Sequence, residues 1–324
     1  MNTLIDSIKN LSAPFEPVPT GATLKLNPLD GIETVLFSIY GTLLISNSGD
    51  VSTATAVASA EALTQSLIVS GYEGDPERAG ELGPELLHTE IKHWHEASRE
   101  NGTDFPEVEI SRVWKKVIKR FQALKILKSD DDPQRIERLA VEYECRINPV
   151  WPMPDARRTL ENLRDRGFRL GIVSNAQFYT PLTIEALFGK PLEALGFEKE
   201  LCVFSYKELC AKPSVELFKA LPAMPARRNL STSIALATEV NEGESSDEGS
   251  DEEIEREKLI DLSKTLYVGN DMLDDIWTAS QAGCKTALFA GDWRSLRERK
   301  EDKRCKKLAP DAIVDHLHQI TEII

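Results

Sequence analysis

Residues 33–44 read ETVLFSIYGTLL, and the fold turns on that stretch. β-Branched, aliphatic and aromatic residues run through it and stop at a Gly-Thr turn. Such a run describes a buried strand ending in a loop. Downstream of Trp151, strands and helices alternate. The helix PDARRTLENLRDRG closes at Gly167, and the strand FRLGIVSN follows directly. A helix over 180–187, a strand over 201–205 and a helix opening in KPSVELFKAL come next. Strand TLYVG, helix DDIWTASQAG, strand KTALFA, a short strand AIVD and a closing helix complete the pattern. That order specifies a parallel sheet covered by helices on both faces.

Between Thr53 and Ile147 the pattern is helical instead, with candidate helices at 53–69, 84–99, 110–125 and 132–146. Pro133 suits the first position of the last of them. The block falls between the first strand and the second. The chain therefore reads as an extended arm (1–31, with Pro14, Pro17, Pro19 and Pro28), an α/β core (32–46 and 148–324) and an inserted helical cap (47–147).

Composition bounds the function. The 324 residues suffice for one large domain or two ordinary ones, and 41% apolar with 28% charged residues is ordinary globular usage. A formal net charge of −14 repels phosphate backbones and anionic lipid, so neither nucleic acid nor membrane is an expected partner. No apolar run approaches the roughly 20 residues that cross a bilayer. The start of the chain lacks a basic region followed by an apolar one, so no signal peptide is expected. Five cysteines without a CxxC pair suit a reducing, cytoplasmic setting. Residues 239–257 carry ten acids against the single Arg256 and almost nothing apolar. They are expected to form a disordered acidic loop within the core, with a binding tail or phosphorylation at Ser245, Ser246 or Ser250 as the functional alternative.

Open parallel sheets bind ligands at the carboxyl ends of their strands. The residues there are Ser38, Tyr40, Gly41 and Thr42 after the first strand, and Ser174 and Asn175 after the second. Lys212 precedes Pro213 near the next junction, and Asn270, Asp271, Asp274 and Asp275 follow TLYVG. In order, spacing and strand context, FSIYGTLL, GIVSNAQ, AKPS and YVGNDMLDD resemble the four motifs of the haloacid dehalogenase (HAD) superfamily of hydrolases. The resemblance covers about residues 32 to 290 and implies a HAD-like Rossmannoid core with an inserted helical cap. It also implies roles. Ser38 stands where the family places its aspartate nucleophile, and Tyr40 where phosphatases place an acid–base aspartate. Ser174 matches the hydroxyl that bonds the transferring group, with Gly41, Thr42 and Asn175 beside it as phosphate-binding candidates. Lys212 matches the lysine that neutralises nucleophile and phosphate. Asp271 and Asp275 match the acids that hold Mg2+, although Asn270 and Asp274 leave open which of the four face the metal.

One departure changes the expectation. Serine is neutral, and no histidine in the neighbouring motif can take its proton. Attack on phosphorus would leave a slowly hydrolysed phosphoserine, and displacement of a halide would leave a dead-end ether. The site is thus expected to bind a small anionic, phosphorylated molecule with Mg2+ and to turn it over little or not at all, as a phosphatase-like pseudoenzyme. Two alternatives stand beside it: an active phosphate-ester hydrolase using another carboxylate, for which Asp30 and Asp50 are nearby in sequence, or a non-catalytic interaction protein working through the acidic loop or the cap. Trp94 and Trp114 read as cap core, His88, His93 and His95 with Lys92 as solvated surface, and GDWRSLRERKEDKRCKK from Gly291 as an exposed basic helix.

Overall fold

The computed structural model describes residues 3–46, 56–128, 132–224 and 259–324; the acidic segment 239–257 and Asp50 lie outside them. Strand β1 (Thr34–Phe37) is buried along its whole length. It pairs in parallel with β4 (Arg169–Ser174) on one side and with β6 (Thr265–Gly269) on the other. Adding β5 (Phe197–Phe204), β7 (Lys285–Phe289) and β8 (Ala312–Val314) gives a six-stranded sheet in the order β5-β4-β1-β6-β7-β8. The chain thus winds outward from β1 in both directions, which opens a crevice between β1 and β6 at their carboxyl ends. Phe37 lies opposite both Ile172 and Val268, so the loops leaving β1, β4 and β6 emerge side by side.

Apolar layers cover both sheet faces. Val35, Phe37, Leu160, Ile172, Ile184 and Phe289 belong to one, and Leu36, Val173, Val203, Phe218 and Tyr267 to the other. After β1 the chain makes a short antiparallel ribbon, β2 (Leu44–Ser46) with β3 (Val150–Pro152). Three-residue strands carry too little pattern to show in the sequence. The ribbon holds together the outgoing and returning ends of the cap insertion.

The cap comprises α2 (Ala56–Val69), α3 (Pro76–Glu100), α4 (Ile110–Ala123) and α5 (Pro133–Ile147). On α4, Val113, Trp114, Val117, Ile118 and Phe121 recur at helical spacing and are all buried. Helix α5 starts as its sequence suggests, with Asp132 accepting from Arg135 N and Pro133 in the first turn. Helix α3 begins eight residues before the expected start. Asp75 caps it by accepting from Arg78 N, and the helix continues through Pro84. A Cβ on Gly80 would meet Thr64 and the Ala60 carbonyl of α2, so that glycine permits close α2–α3 contact.

Two expectations need correction. The arm is not extended from its start: Thr3–Leu11 forms helix α1, which seats Ile8 among Val141 of α5 and Tyr179 and Ala186. Leu4, Ile5 and Ile8 supply the apolar face, and the prolines that suggested extension begin only at Pro14. Beyond it the chain does run extended over the core, where Trp293 N donates to Val18 O and Lys25 exchanges backbone bonds with Ile313. The basic segment after Gly291 is a series of turns, not an exposed helix, because several of its arginines are drawn to carboxylates. No helix among the described residues is long and apolar enough to cross a membrane.

Trp114 is 1% exposed and meets Tyr143 edge-on at 5.2 Å between ring centres. Trp114→Ala is expected to lower stability by about 3–5 kcal/mol in chemical denaturation, as for a large core aromatic. An unchanged midpoint would show that it is not part of the cap core.

Candidate active site

Lys212 stands at the centre of the strand ends. Its Nζ donates to Asp275 Oδ1 at 2.5 Å, to the Tyr267 hydroxyl at 2.8 Å, to Ser38 Oγ at 3.2 Å and to Val173 O at 3.3 Å. Three ammonium protons serve four acceptors, so this lysine is fully employed within the protein. Both its side chain and that of Asp275 are 3% exposed. Asn175 holds the lysine backbone from both sides: its Oδ1 accepts from Lys212 N at 2.8 Å and its Nδ2 donates to Lys212 O at 3.2 Å. Asp275 in turn fills its second oxygen with the backbone N–H groups of Asn270 and Asp271, at 2.8 and 2.9 Å. Burial and the Asp275 charge push the Tyr267 hydroxyl far above its ordinary range, so it remains a phenol.

Asp271 is committed differently. Its Oδ1 accepts from Leu273 N and Asp274 N at 2.8 and 3.1 Å, capping the π-helical turn Met272–Trp277. Arg299 then grips the same carboxylate with Nε and Nη2, the latter 2.7 Å from Oδ2. Asp274 lies beside them with its pKa raised to about 7, first by burial and then by Asp271 and Asp275.

These donors decide how well magnesium fits. The ion prefers open, octahedral oxygen sites with retained water. Here Ser38 brings no charge, Asp275 is saturated by Lys212, Tyr267 and two amides, and Asp271 is held by Arg299. Asp274 alone does not make a site. Among the described residues no group of three histidine, cysteine or acidic side chains is arranged to hold a metal. The side chains as they stand do not fit Mg2+: Asp275 is committed to Lys212 and Asp271 to Arg299.

Ser38, Tyr40, Ser174, Asn175 and Lys212 do line one cavity of about 480 Å³, together with Asn270, Asp271, Asp274 and Asp275. Gly41 and Thr42 do not reach it. The β1 turn folds against the β6 loop instead, with Thr42 Oγ1 donating to Asn270 Oδ1 at 3.0 Å. Gly41, at φ +81°, approaches Asn270 and Ser295 so closely that a Cβ would stand 2.6 and 2.7 Å from them. Both join the β1 turn to the β6 loop. The Tyr40 hydroxyl lies 2.9 Å from Thr180 Oγ1, and burial and Glu144 raise its pKa so that it stays protonated.

The cap supplies the other wall. Segment 105–110 is pinned to the core where Gln177 bonds both Ile110 N and Val108 O, and where Ala211 N donates to Phe105 O. Glu107 and Glu144 face the cavity without a cation paired to either among the described residues, and burial raises both pKa values. His95 lines the cavity too, half-buried rather than solvated, its pKa lowered by burial and by Arg99. Sequence reasoning missed Tyr267, Glu107, Glu144 and Thr180. It did note Arg297 and Arg299, but as members of a surface helix.

A sequence model of the haloacid dehalogenase-like hydrolases matches residues 32–221. The chain belongs to that family. Solved structures of similar fold include a 2-haloacid dehalogenase from Pseudomonas syringae pv. Tomato DC3000, at 21% identity and TM-score 0.49, covering 90% of this chain and 97% of that one. A HAD phosphatase from Thermococcus onnurineus gives 17% and 0.46 over 90% and 97% of the two chains. CbbY from Rhodobacter sphaeroides in complex with phosphate gives 14% and 0.42 over 89% and 96%. No curated protein sequence matches the chain.

Two outcomes are expected of this geometry. Lys212→Met strands Asp275 as a buried charge and should cost about 3–5 kcal/mol in urea denaturation, with Lys212→Met/Asp275→Asn recovering much of the loss. Glu144 binds its proton more tightly folded than unfolded, so stability falls as pH rises from the ordinary glutamate pKa towards the raised folded value. Glu144→Gln should flatten that part of the stability–pH curve; an unaltered slope would show that Glu144 is not its source.

Proposed function

We propose that this HAD-family hydrolase homologue binds a small anionic molecule, in the first place a phosphorylated one, and hydrolyses it little or not at all. One observation carries the reading: at the nucleophile position a neutral hydroxyl accepts a hydrogen bond from Lys212 Nζ, which is itself ion-paired with Asp275. A serine nucleophile needs a base to take its proton. Lys212 Nζ is committed to its pair with Asp275. Asp30 is exposed in the turn before β1, at the end of the strand away from the cleft.

Support for an anionic ligand comes from Arg297. Of the three basic side chains lining the cavity, Lys212 and Arg299 are paired with aspartates. Arg297 bonds backbone carbonyls of Arg294 and Leu296, and no carboxylate pairs with it among the described residues. A phosphate or carboxylate group entering the cleft would share it with Arg297 and with Ser38 and Ser174. This reading takes the ligand without the family's metal. The interaction-protein alternative has its main surface, residues 239–257, outside the described residues.

Inorganic phosphate and a panel of phosphate esters, followed by calorimetry, should show binding that Arg297→Gln weakens by about tenfold or more, the range for a charge-assisted hydrogen bond. The same panel should give no turnover above a Lys212→Ala control, with or without magnesium. Brisk hydrolysis by the unaltered protein would overturn the proposal.

A further inference from the structure

The fit of the aspartates to arginine rather than to magnesium is built into the backbone. Arg297 N donates to Asn270 O at 3.0 Å, and Met272 N donates to Arg297 O at 2.8 Å. These two bonds lay the segment after β7 alongside the β6 loop, with Asp271 and Arg297 in parallel register. Two residues on, Arg299 adopts φ +47°, a left-handed conformation uncommon for a residue with a side chain. The chain turns back there, and the guanidinium meets Asp271 through a fork of nitrogens, the geometry in which arginine and carboxylate bind best. Arg299 also stands 3.7 Å from Asp274. One guanidinium thus answers two of the acids of the fourth motif, and Lys212 answers the third.

We infer that Arg299 occupies the charge position that the family gives to magnesium and keeps divalent metal out, so that the cleft takes its ligand metal-free. The inference deepens the ligand-binding proposal above and rests on it for the nature of the ligand, but not for the exclusion of metal. Charge arithmetic agrees. With serine at 38, Lys212 and Arg299 balance Asp275 and Asp271. An added dication would have to displace the guanidinium from a carboxylate that is buried beneath it.

Magnesium chloride alone is the first probe. Calorimetric titration of the full chain at millimolar concentrations should give no saturable binding, and the melting temperature should not move beyond a choline chloride control. Arg299→Ala should melt lower and regain stability specifically with magnesium, by roughly 3 °C at about ten times the dissociation constant. Arg299→Lys, which keeps charge but loses the fork, should gain less. Phosphate binding by the unaltered protein should be equal in EDTA and in magnesium. Saturable magnesium binding by the unaltered protein that Arg299→Ala does not strengthen would overturn the inference, as would phosphate binding that requires the metal. Should Arg299→Ala fail to fold, the titration of the unaltered protein decides. Absence of phosphate binding in both buffers would end the ligand proposal while leaving the magnesium titration to judge this one.

Discussion

The buried pair between Lys212 and Asp275 ties together everything at the strand ends. Removing two charges from water is costly, and the cost is offset only when each charge finds several partners. Both do here. The ammonium reaches Ser38 after β1, Val173 on β4 and Tyr267 on β6, while the carboxylate collects amides from the loop after β6. One ion pair therefore draws three adjacent strands and the fourth-motif loop to a common point. Asn175 keeps the lysine aimed there by bonding its backbone on both sides. The same arrangement leaves no proton or lone pair of the ion pair unmatched within the protein.

Ser38 is consistent with this economy of charge. An aspartate at that position would place a second anion against Lys212 and leave the cluster in need of a further cation. Serine removes the need. Asp271 can then be satisfied by Arg299 alone, and the site closes electrically with protein groups. On the proposed reading, serine at position 38 and the Arg299–Asp271 pair belong to one balance of charge.

The cap gives the cavity a second character. Glu107 and Glu144 are pushed towards their neutral forms by burial, and Tyr40 and Tyr179 stay protonated around them. That wall offers hydrogen-bond donors and acceptors more than fixed charge, whereas the core wall carries the ion pairs. Helix α1 and the extended segment after it bind cap and core along one flank, because Ile8 inserts between α5 and α7 (Thr180–Phe188). The cap is therefore held by the N-terminal helix as well as by the β2–β3 ribbon.

Much of this was legible in the residues themselves. Alternating strands and helices, the buried run before Ser38 and the four strand-end motifs follow from periodicity, since parallel strands must be apolar on both faces and ligand groups must sit past their ends. That an alcohol replaces an acid at position 38 is likewise a matter of reading one letter. Which cation answers which acid was not legible. Arg299 and Asp271 lie 28 positions apart, Lys212 and Asp275 lie 63 apart, and only the paths of the intervening loops bring them within hydrogen-bond reach. Composition shows that charges exist, but three-dimensional packing decides which of them come within hydrogen-bond distance of one another.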